Sequence, residues 1–335
     1  MYCVYFDSGT TNTRAYLVKD GKIFDMIKNA IGSKDSSIAG SNLVLLKELK
    51  RLFDDLIHTN NIDERHISDI YASGMVTSPF GIKEVPHVST PVSRKKLSDS
   101  IYIHYEPLFF ERDIKLIRGV KTVDADFKAN PNTIANINNM RGEEIEVFGI
   151  IPNLPSVWQN DDIAVFLPGS HTHIAYIRNN ELLDIWSTFS GELFHAISTS
   201  TVLSNSVSVD TTAIDPEMAL LGLKYLYEYG FNRALYICHA MKIFDTADNV
   251  QRKSYLEGVI IGGILLGFEK MSAQKWKGVK KIVIAGRSDL TGIYDVLLKD
   301  LLPHCDIMTI SANEKHSFAV QGFINIIFNQ FLPIN

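Results

Sequence analysis

The sequence predicts an α/β protein made of two duplicated domains, each a central mixed sheet flanked by helices. Three observations lead there. The chain has 335 residues, 46% of them hydrophobic, which is enough for two cores rather than one. Short apolar runs at strand length are interspersed with longer stretches at helical spacing. The opening pattern of strand, polar turn, strand, turn and strand also returns near the middle of the chain. Its first turns begin at Gly9 and Gly169, 160 residues apart.

The elements follow in order. Residues 2–6 read as a buried strand, "RAYLV" (14–18) as its hairpin partner and 19–27 as a third strand after the Asp20-Gly21 turn. Leu45, Leu49, Leu52, Phe53 and Leu56 share one helical face, and Ser41 is the expected N-cap. "HISDIYASGM" reads as a strand ending in a glycine turn, 121–139 as a connection, and 141–151 as a helix ending near Pro152. The second half repeats the opening: a strand at 163–167, a Gly-Ser-His-Thr turn at 169–172, a strand at 174–177, an Asn-Asn turn and another strand. Helices are expected at 216–229, 254–271 and 292–302, a buried strand within 280–290, and an amphipathic helix in the tail after His316. The boundary between the domains is placed at 150/151, giving domains 1–150 and 151–335, and the C-terminal helix is allowed to pack back on the first.

Composition narrows the function. A net charge of −5 argues against nucleic acid as a bulk electrostatic partner. Cys3, Cys238 and Cys305 are scattered and odd in number, which argues against a disulfide scaffold or zinc site and for a cytoplasmic protein. Met1 runs straight into "YCVYF" without a basic segment, so no signal peptide is expected. The run "VIIGGILLGF" (259–268) is too short to span a bilayer, and its glycines read as close helix packing. His171 and His173 lack a third ligand at useful spacing, so they are not read as a metal site.

The stretch "YFDSGTTNTRAYLV" (5–18) carries the chemistry. A hairpin turn of this kind can wrap a polyphosphate. Gly9 allows close backbone approach, while Thr10, Thr11, Asn12 and Thr13 offer hydroxyl, amide and backbone donors. Asp7 can hold Mg²⁺, usually through water, and Arg14 can lie over the phosphate charge. The plain alternative is an ordinary Thr/Asn-rich turn. "LPGSHTH" supplies a matching second turn with Gly169, Ser170 and His171, and "IVIAGRSDL" is a strand ending in Ala285-Gly286. Two phosphate hairpins and one nucleoside turn, in that order, resemble the actin, hexokinase and Hsp70 superfamily. That resemblance implies ribonuclease-H-like (actin-like ATPase) domains, with ATP held in the cleft between the two copies.

Within that superfamily, "DSGTTNTRAYL", "ASGMVTSPFG", "MRGEE", "LPGSHTH", "SGELFHAI" and "AGRSDLTGIY" resemble the 2-dehydro-3-deoxygalactonokinase family over residues 5 to about 295. The resemblance implies transfer of the ATP γ-phosphate, with Mg²⁺, to the 6-hydroxyl of 2-dehydro-3-deoxy-D-galactonate. The chain departs from the family at Ser8, Ile82 and Ile174, where tryptophan is usual. A sugar hydroxyl needs a carboxylate to accept its proton. Glu143 is the expected base because related kinases place an acid at the matching Gly-acid step, with Glu144 and Asp7 kept as alternatives. Arg141 suits a substrate carboxylate. Gly74, Met75 and Ser78 of the "SGMVTS" turn, with Ser190 and Glu192, complete the expected substrate set. The nucleotide set ends with Ala285, Gly286, Arg287 and Ser288. The expected partners are a sugar acid and ATP, with a homodimer left open. Two other readings stay open: a kinase of this fold acting on another sugar or amino sugar, and a nucleotide-binding sensor or assembly protein without catalysis.

Overall fold

The computed structural model describes residues 1–208 and 211–330, with the backbone alone at 289. The chain divides into two compact units. Unit 1 comprises Met1–Gln159, Asn180–Ile185 and Ala312–Asn335, and unit 2 comprises Asn160–Asn179 and Trp186–Ser311. The tail therefore belongs to unit 1.

Unit 1 opens with β1 (Tyr2–Ser8), β2 (Thr13–Lys19) and β3 (Lys22–Asn29), followed by α1 (Ser33–Ala39) and α2 (Leu43–Thr59). The expected cap is displaced by one residue: Asn42 holds the N-cap position, while the Ser41 hydroxyl accepts from Leu43 N at 3.3 Å. Then come β4 (Ile67–Gly74), β5 (Val88–Ser89), α3 (Arg94–Asp99), β6 (Tyr102–Glu106), β7 (Arg112–Leu116), β8 (Val120–Lys121), β9 (Asn139–Met140) and α4 (Glu143–Ile150). The main sheet runs β3-β2-β1-β4-β7-β6, with β1, β4 and β7 parallel. β5, β8 and β9 form a small separate sheet. Strand residues alternate between two faces. Val4, Phe6, Ala15 and Leu17 pack with Leu45, Leu49, Leu52, Phe53 and Leu56 of α2. Tyr5 stacks on Phe323 at 4.2 Å.

Unit 2 repeats the plan. β10 (Ile163–Pro168), β11 (His171–Arg178) and β12 (Glu181–Phe189) precede α5 (Gly191–Ser200), α6 (Pro216–Tyr229), α7 (Phe231–Ile243) and α8 (Asn249–Lys275). β13 (Lys281–Ala285), α9 (Ser288–Leu301) and β14 (Asp306–Ile310) complete it, and α10 (Phe318–Phe328) returns to unit 1. The sheet order is β12-β11-β10-β13-β14, with β10, β13 and β14 parallel. In both sheets the third, second and first strands of the meander are followed by parallel strands. The second hairpin turn is shorter than expected, since Pro168 already pairs with Thr172.

Glycines set two helix contacts. A Cβ at Gly322 of α10 would lie 1.8 Å from Ile145 O, and one at Gly149 of α4 would lie 2.1 Å from Phe318 O. A Cβ at Gly258 of α8 would lie 2.1 Å from Ala219 O of α6. Among the described residues, no helix is long and apolar enough to cross a membrane.

Candidate active site

The first hairpin is built from backbone and small polar side chains. The buried Ser8 and Thr13 hydroxyls meet at 3.0 Å where the strands part, and Thr13 also donates to Ile31 O. Gly9 N donates to Asn12 O at 2.8 Å, leaving the side chains of Thr10, Thr11 and Asn12 exposed. The Gly9 and Thr10 carbonyls accept from Ser33 N and Lys34 N of α1 at 3.2 and 2.9 Å. A Cβ at Gly32 would lie 2.4 Å from Thr10 O, so only glycine lets the helix start come this close. Two acceptors of the turn are thereby engaged, and the Asn12 amide donates to Thr11 Oγ1 at 2.9 Å within the exposed tip.

Three backbone corners converge beside this turn. Gly74, at φ +81°, ends β4, and a Cβ there would sit 2.5 Å from Ser8 O. A Cβ at Gly142, φ +112°, would be 3.4 Å from Gly74 Cα. Both conformations favour glycine. The result brings the end of β1, the end of β4 and the start of α4 together, carrying Asp7, Gly74 and Glu143.

Asp7 accepts from Arg14 Nη1 at 2.9 Å. Burial pushes the Asp7 carboxyl up, Arg14 pulls it back and Glu143 raises it again. Arg14, expected over the phosphates, is thus bonded to Asp7, and its Nε is buried without a partner. The two candidate bases occupy different environments. Glu144 is fully buried, and both its oxygens accept from Gly142 N at 3.0 and 2.8 Å. Burial holds it well above the carboxylate range, with Glu143 adding to the shift. Glu143 is half-buried and accepts from Arg141 N at 3.1 Å. Glu146, one turn on, is pushed up to about 8 by burial, then by Glu143 and Asp7.

The expected substrate residues divide between the units. Ser78 donates to Met75 O at 2.7 Å, closing its own turn. Arg141 donates through Nη1 to Thr77 Oγ1 at 2.7 Å and through Nη2 to Val85 O at 3.0 Å. It also approaches His87 Nδ1 at 3.5 Å, and burial followed by this arginine lowers His87 to about 4. Gly74, Met75, Ser78 and Arg141 belong to unit 1, whereas Ser190 and Glu192 belong to unit 2.

In unit 2 the hairpin is backed the same way. The Gly169 carbonyl accepts from Gly191 N at 3.3 Å and from Ser190 Oγ at 3.1 Å, and Ser170 O accepts from Glu192 N at 2.9 Å. A Cβ at Gly191 would lie 2.6 Å from Gly169 O. His171 Nε2 is 3.2 Å from Glu192, while His173 Nδ1 meets Ser187 Oγ at 2.9 Å. Behind the turn, Thr172 bonds to Ser190 at 2.9 Å and to Tyr294 at 2.5 Å. Burial pushes the Tyr294 hydroxyl up to about 12. Next to Gly169 an apolar pocket is walled by Phe194, Ile261, Leu290, Ile293 and Tyr294, with Glu257 at its side. Ala285 is buried at the end of β13, Gly286 N donates to Ile310 O at 3.2 Å, and Arg287 and Ser288 are exposed where α9 begins. Leu290, Ile293 and Tyr294 of α9 line the pocket, and Ala285–Ser288 do not.

The family model described as 2-keto-3-deoxy-galactonokinase matches residues 7–323. The chain belongs to this family. A curated relative, "Probable 2-dehydro-3-deoxygalactonokinase DgoK1" of Rhizobium meliloti (strain 1021), is 23% identical over 214 residues. That match covers 63% of this chain and 61% of the relative's length. A crystal structure from Sinorhizobium meliloti, assigned to the 2-dehydro-3-deoxygalactonokinases, superposes with a TM-score of 0.74 at 18% identity over 97% of each chain. Acetate kinase from Entamoeba histolytica superposes at 0.50 with 9% identity, over 98% of this chain and all of the other. The fold is therefore the actin-like ATPase and sugar-kinase fold.

This 2-keto-3-deoxy-galactonokinase family member buries all three positions where tryptophan was expected: Ser8, Ile82 and Ile174. Sequence reasoning missed Glu146, His87, Gly32, Gly191 and Tyr294, and read Thr172 only as the end of the second turn. Only the two glycines left a signal, since each directly precedes or opens a helix just after a meander.

Proposed function

We propose that the protein is an ATP-dependent kinase that phosphorylates the 6-hydroxyl of 2-dehydro-3-deoxy-D-galactonate in galactonate breakdown. The observation that carries this is the half-buried Glu143 at the start of α4, close enough to Asp7 at the end of β1 for its charge to raise the Asp7 carboxyl. It supplements the family match. Glu143 takes the proton of the acceptor hydroxyl as its oxygen bonds to the γ-phosphorus and the bond to the ADP oxygen breaks. Glu144 positions it: fully buried and bonded to Gly142 N, it fixes the corner from which Glu143 projects. In unit 1 the exposed donors of 10–12 suit phosphate oxygens; in unit 2 the backbone of 169–170 does so too, and the apolar pocket beside Gly169 suits a nucleoside. Among the described residues no cluster of three or more ligating side chains could hold a metal by itself. Asp7 alone fits Mg²⁺ that keeps its waters and its ATP oxygens. When bound, that ion neutralises phosphate charge. The three cysteines are free, consistent with a cytoplasmic enzyme.

The test is an ADP-release assay over sugar acids, hexoses and amino sugars. Turnover on the keto-deoxy acid, reduced by roughly 10²–10⁴-fold in Glu143→Gln with ATP affinity kept, is the expected outcome. Near-normal turnover in Glu143→Gln removes it as base, and a preference for a neutral hexose removes the sugar-acid substrate.

A further inference from the structure

β1, β4 and β7 are parallel and end at Ser8, Gly74 and Leu116. Ligands of open α/β sheets bind beyond the carboxyl ends of such strands. Ile117 N donates to Ala72 O at 2.9 Å, so the β4–β7 pairing runs on past Leu116. Arg118 is the next residue, at the same end of the sheet as Asp7 and Gly74. Its neighbour Gly119 is clamped in place. Its carbonyl accepts from Val88 N at 2.8 Å, and a Cβ on it would lie 2.6 Å from Met140 O, 2.7 Å from Arg141 Cγ and 2.9 Å from His87 Cδ2. Arg118 thus leaves the backbone at a fixed point against the corner that starts α4.

Among the described residues Arg118 is the one arginine without a hydrogen-bond, ion-pair or ring partner. Each of the others has an interaction: Arg14, Arg94, Arg112, Arg141 and Arg178 bond to carboxylates, carbonyls or hydroxyls, and Arg233 lies over the Tyr236 ring. Its Nε is nevertheless buried and unsatisfied. A buried donor without an acceptor is costly and calls for a reason. Arg141, by contrast, spends both terminal nitrogens on Thr77 and Val85.

We propose that Arg118, rather than Arg141, grips the carboxylate of the acceptor and so sets the preference for an acid over a neutral sugar. The proposal rests on the sugar-acid reading above. A guanidinium offers two parallel N–H groups that match a carboxylate, and no side chain or carbonyl among the described residues already occupies those of Arg118. Arg141 is a positioning residue that ties the start of α4 to the 77–85 segment.

The test compares the keto-deoxy acid with its analogue in which the carboxyl is reduced to a primary alcohol. Steady-state kinetics and calorimetric titration of the acid without nucleotide are run on the wild type, Arg118→Gln and Arg118→Lys. Arg118→Gln should raise KM and Kd for the acid by about 10–100-fold, with kcat, KM for ATP and all constants for the alcohol unchanged. Arg118→Lys, with its charge but no fork, should fall between. Equal melting points exclude misfolding, and Arg118→Lys carries the test if Arg118→Gln does not fold. If the wild type prefers the acid and both variants keep its affinity, the assignment of Arg118 is overturned while the sugar-acid reading stands. If the wild type does not prefer the acid to the alcohol, that reading falls and the assignment falls with it.

Discussion

The two hairpins share a backbone device and differ in their chemistry. In both, a glycine at or just before a helix start lies against the turn, and the helix's first N–H groups take two turn carbonyls: Gly9 and Thr10 in one, Gly169 and Ser170 in the other. The residue two before the turn glycine then diverges. It is Asp7 in the first hairpin and the buried Leu167 in the second. Asp7 joins Arg14, Glu143 and Glu146 in a charged cluster. Behind the second turn stands the hydroxyl set Thr172, Ser190 and Tyr294. The two copies keep the same backbone support for the turn and differ in what stands beside it, carboxylates and an arginine in the first and hydroxyls in the second.

The largest expected effect separates those roles. On the proposed reading of Asp7 as the Mg²⁺ anchor, Asp7→Asn should abolish most phosphoryl transfer while shifting the melting point little, because the carboxylate is lost and the side-chain size is kept. Leu167→Ala, at the matching place, should destabilise by about 2–5 kcal/mol through its cavity while the folded fraction retains its turnover number. Equal loss of activity per folded molecule in both variants would break the comparison.

The shared device gives the next effect. Gly32→Ala and Gly191→Ala place a Cβ against a carbonyl oxygen in either copy, so each should cost about 1–3 kcal/mol and weaken ATP binding in calorimetry. Gly9→Ala should be milder, because its Cβ would be 3.6 Å from Asn12 O, an ordinary contact.

Glu146 marks the charged copy in its pH dependence. Its carboxyl is raised from 4.5 to about 8 in the folded chain, so the folded state holds a proton that the unfolded state releases. Its contribution to stability is full below pH 4.5 and is lost as pH rises through about 8. Glu146→Gln should flatten that part of the stability-versus-pH curve in denaturant titrations, with the variant gaining on the wild type from pH 4.5 to about 8 and the difference constant above that. An unchanged slope would show that Glu146 is not held protonated.

Smallest is Tyr294→Phe. It removes one buried hydroxyl from the second copy and should cost about 0.5–1.5 kcal/mol, with little change in turnover.

Much of this was legible in the chain itself. The meander pattern, the helical faces and the recurrence at Gly169 follow from local periodicity and turn chemistry, which neighbouring residues determine. Those elements appear as β1–β3, α2, β10–β12, α6, α8 and α9. β6, β7 and β14 were not read, because short strands such as "DIMTI" (306–310) become strands only through the sheet neighbours they meet. α5 and α7 also went unread. Helix α7 holds its buried residues to Ala234 and Cys238, which leaves a weak apolar stripe.

The sequence by itself determined the α/β class, the repeated hairpins and the small polar residues at their turns. Spacing along the chain carries those properties. Only the tertiary structure decided which acid is sealed and which is reachable, Glu144 or Glu143, and which arginine is engaged and which is free, Arg141 or Arg118. These pairs are alike as residue types. What distinguishes them is burial and the partners that distant segments bring, such as Thr77 and Val85 for Arg141, because desolvation and hydrogen bonding act across space rather than along sequence.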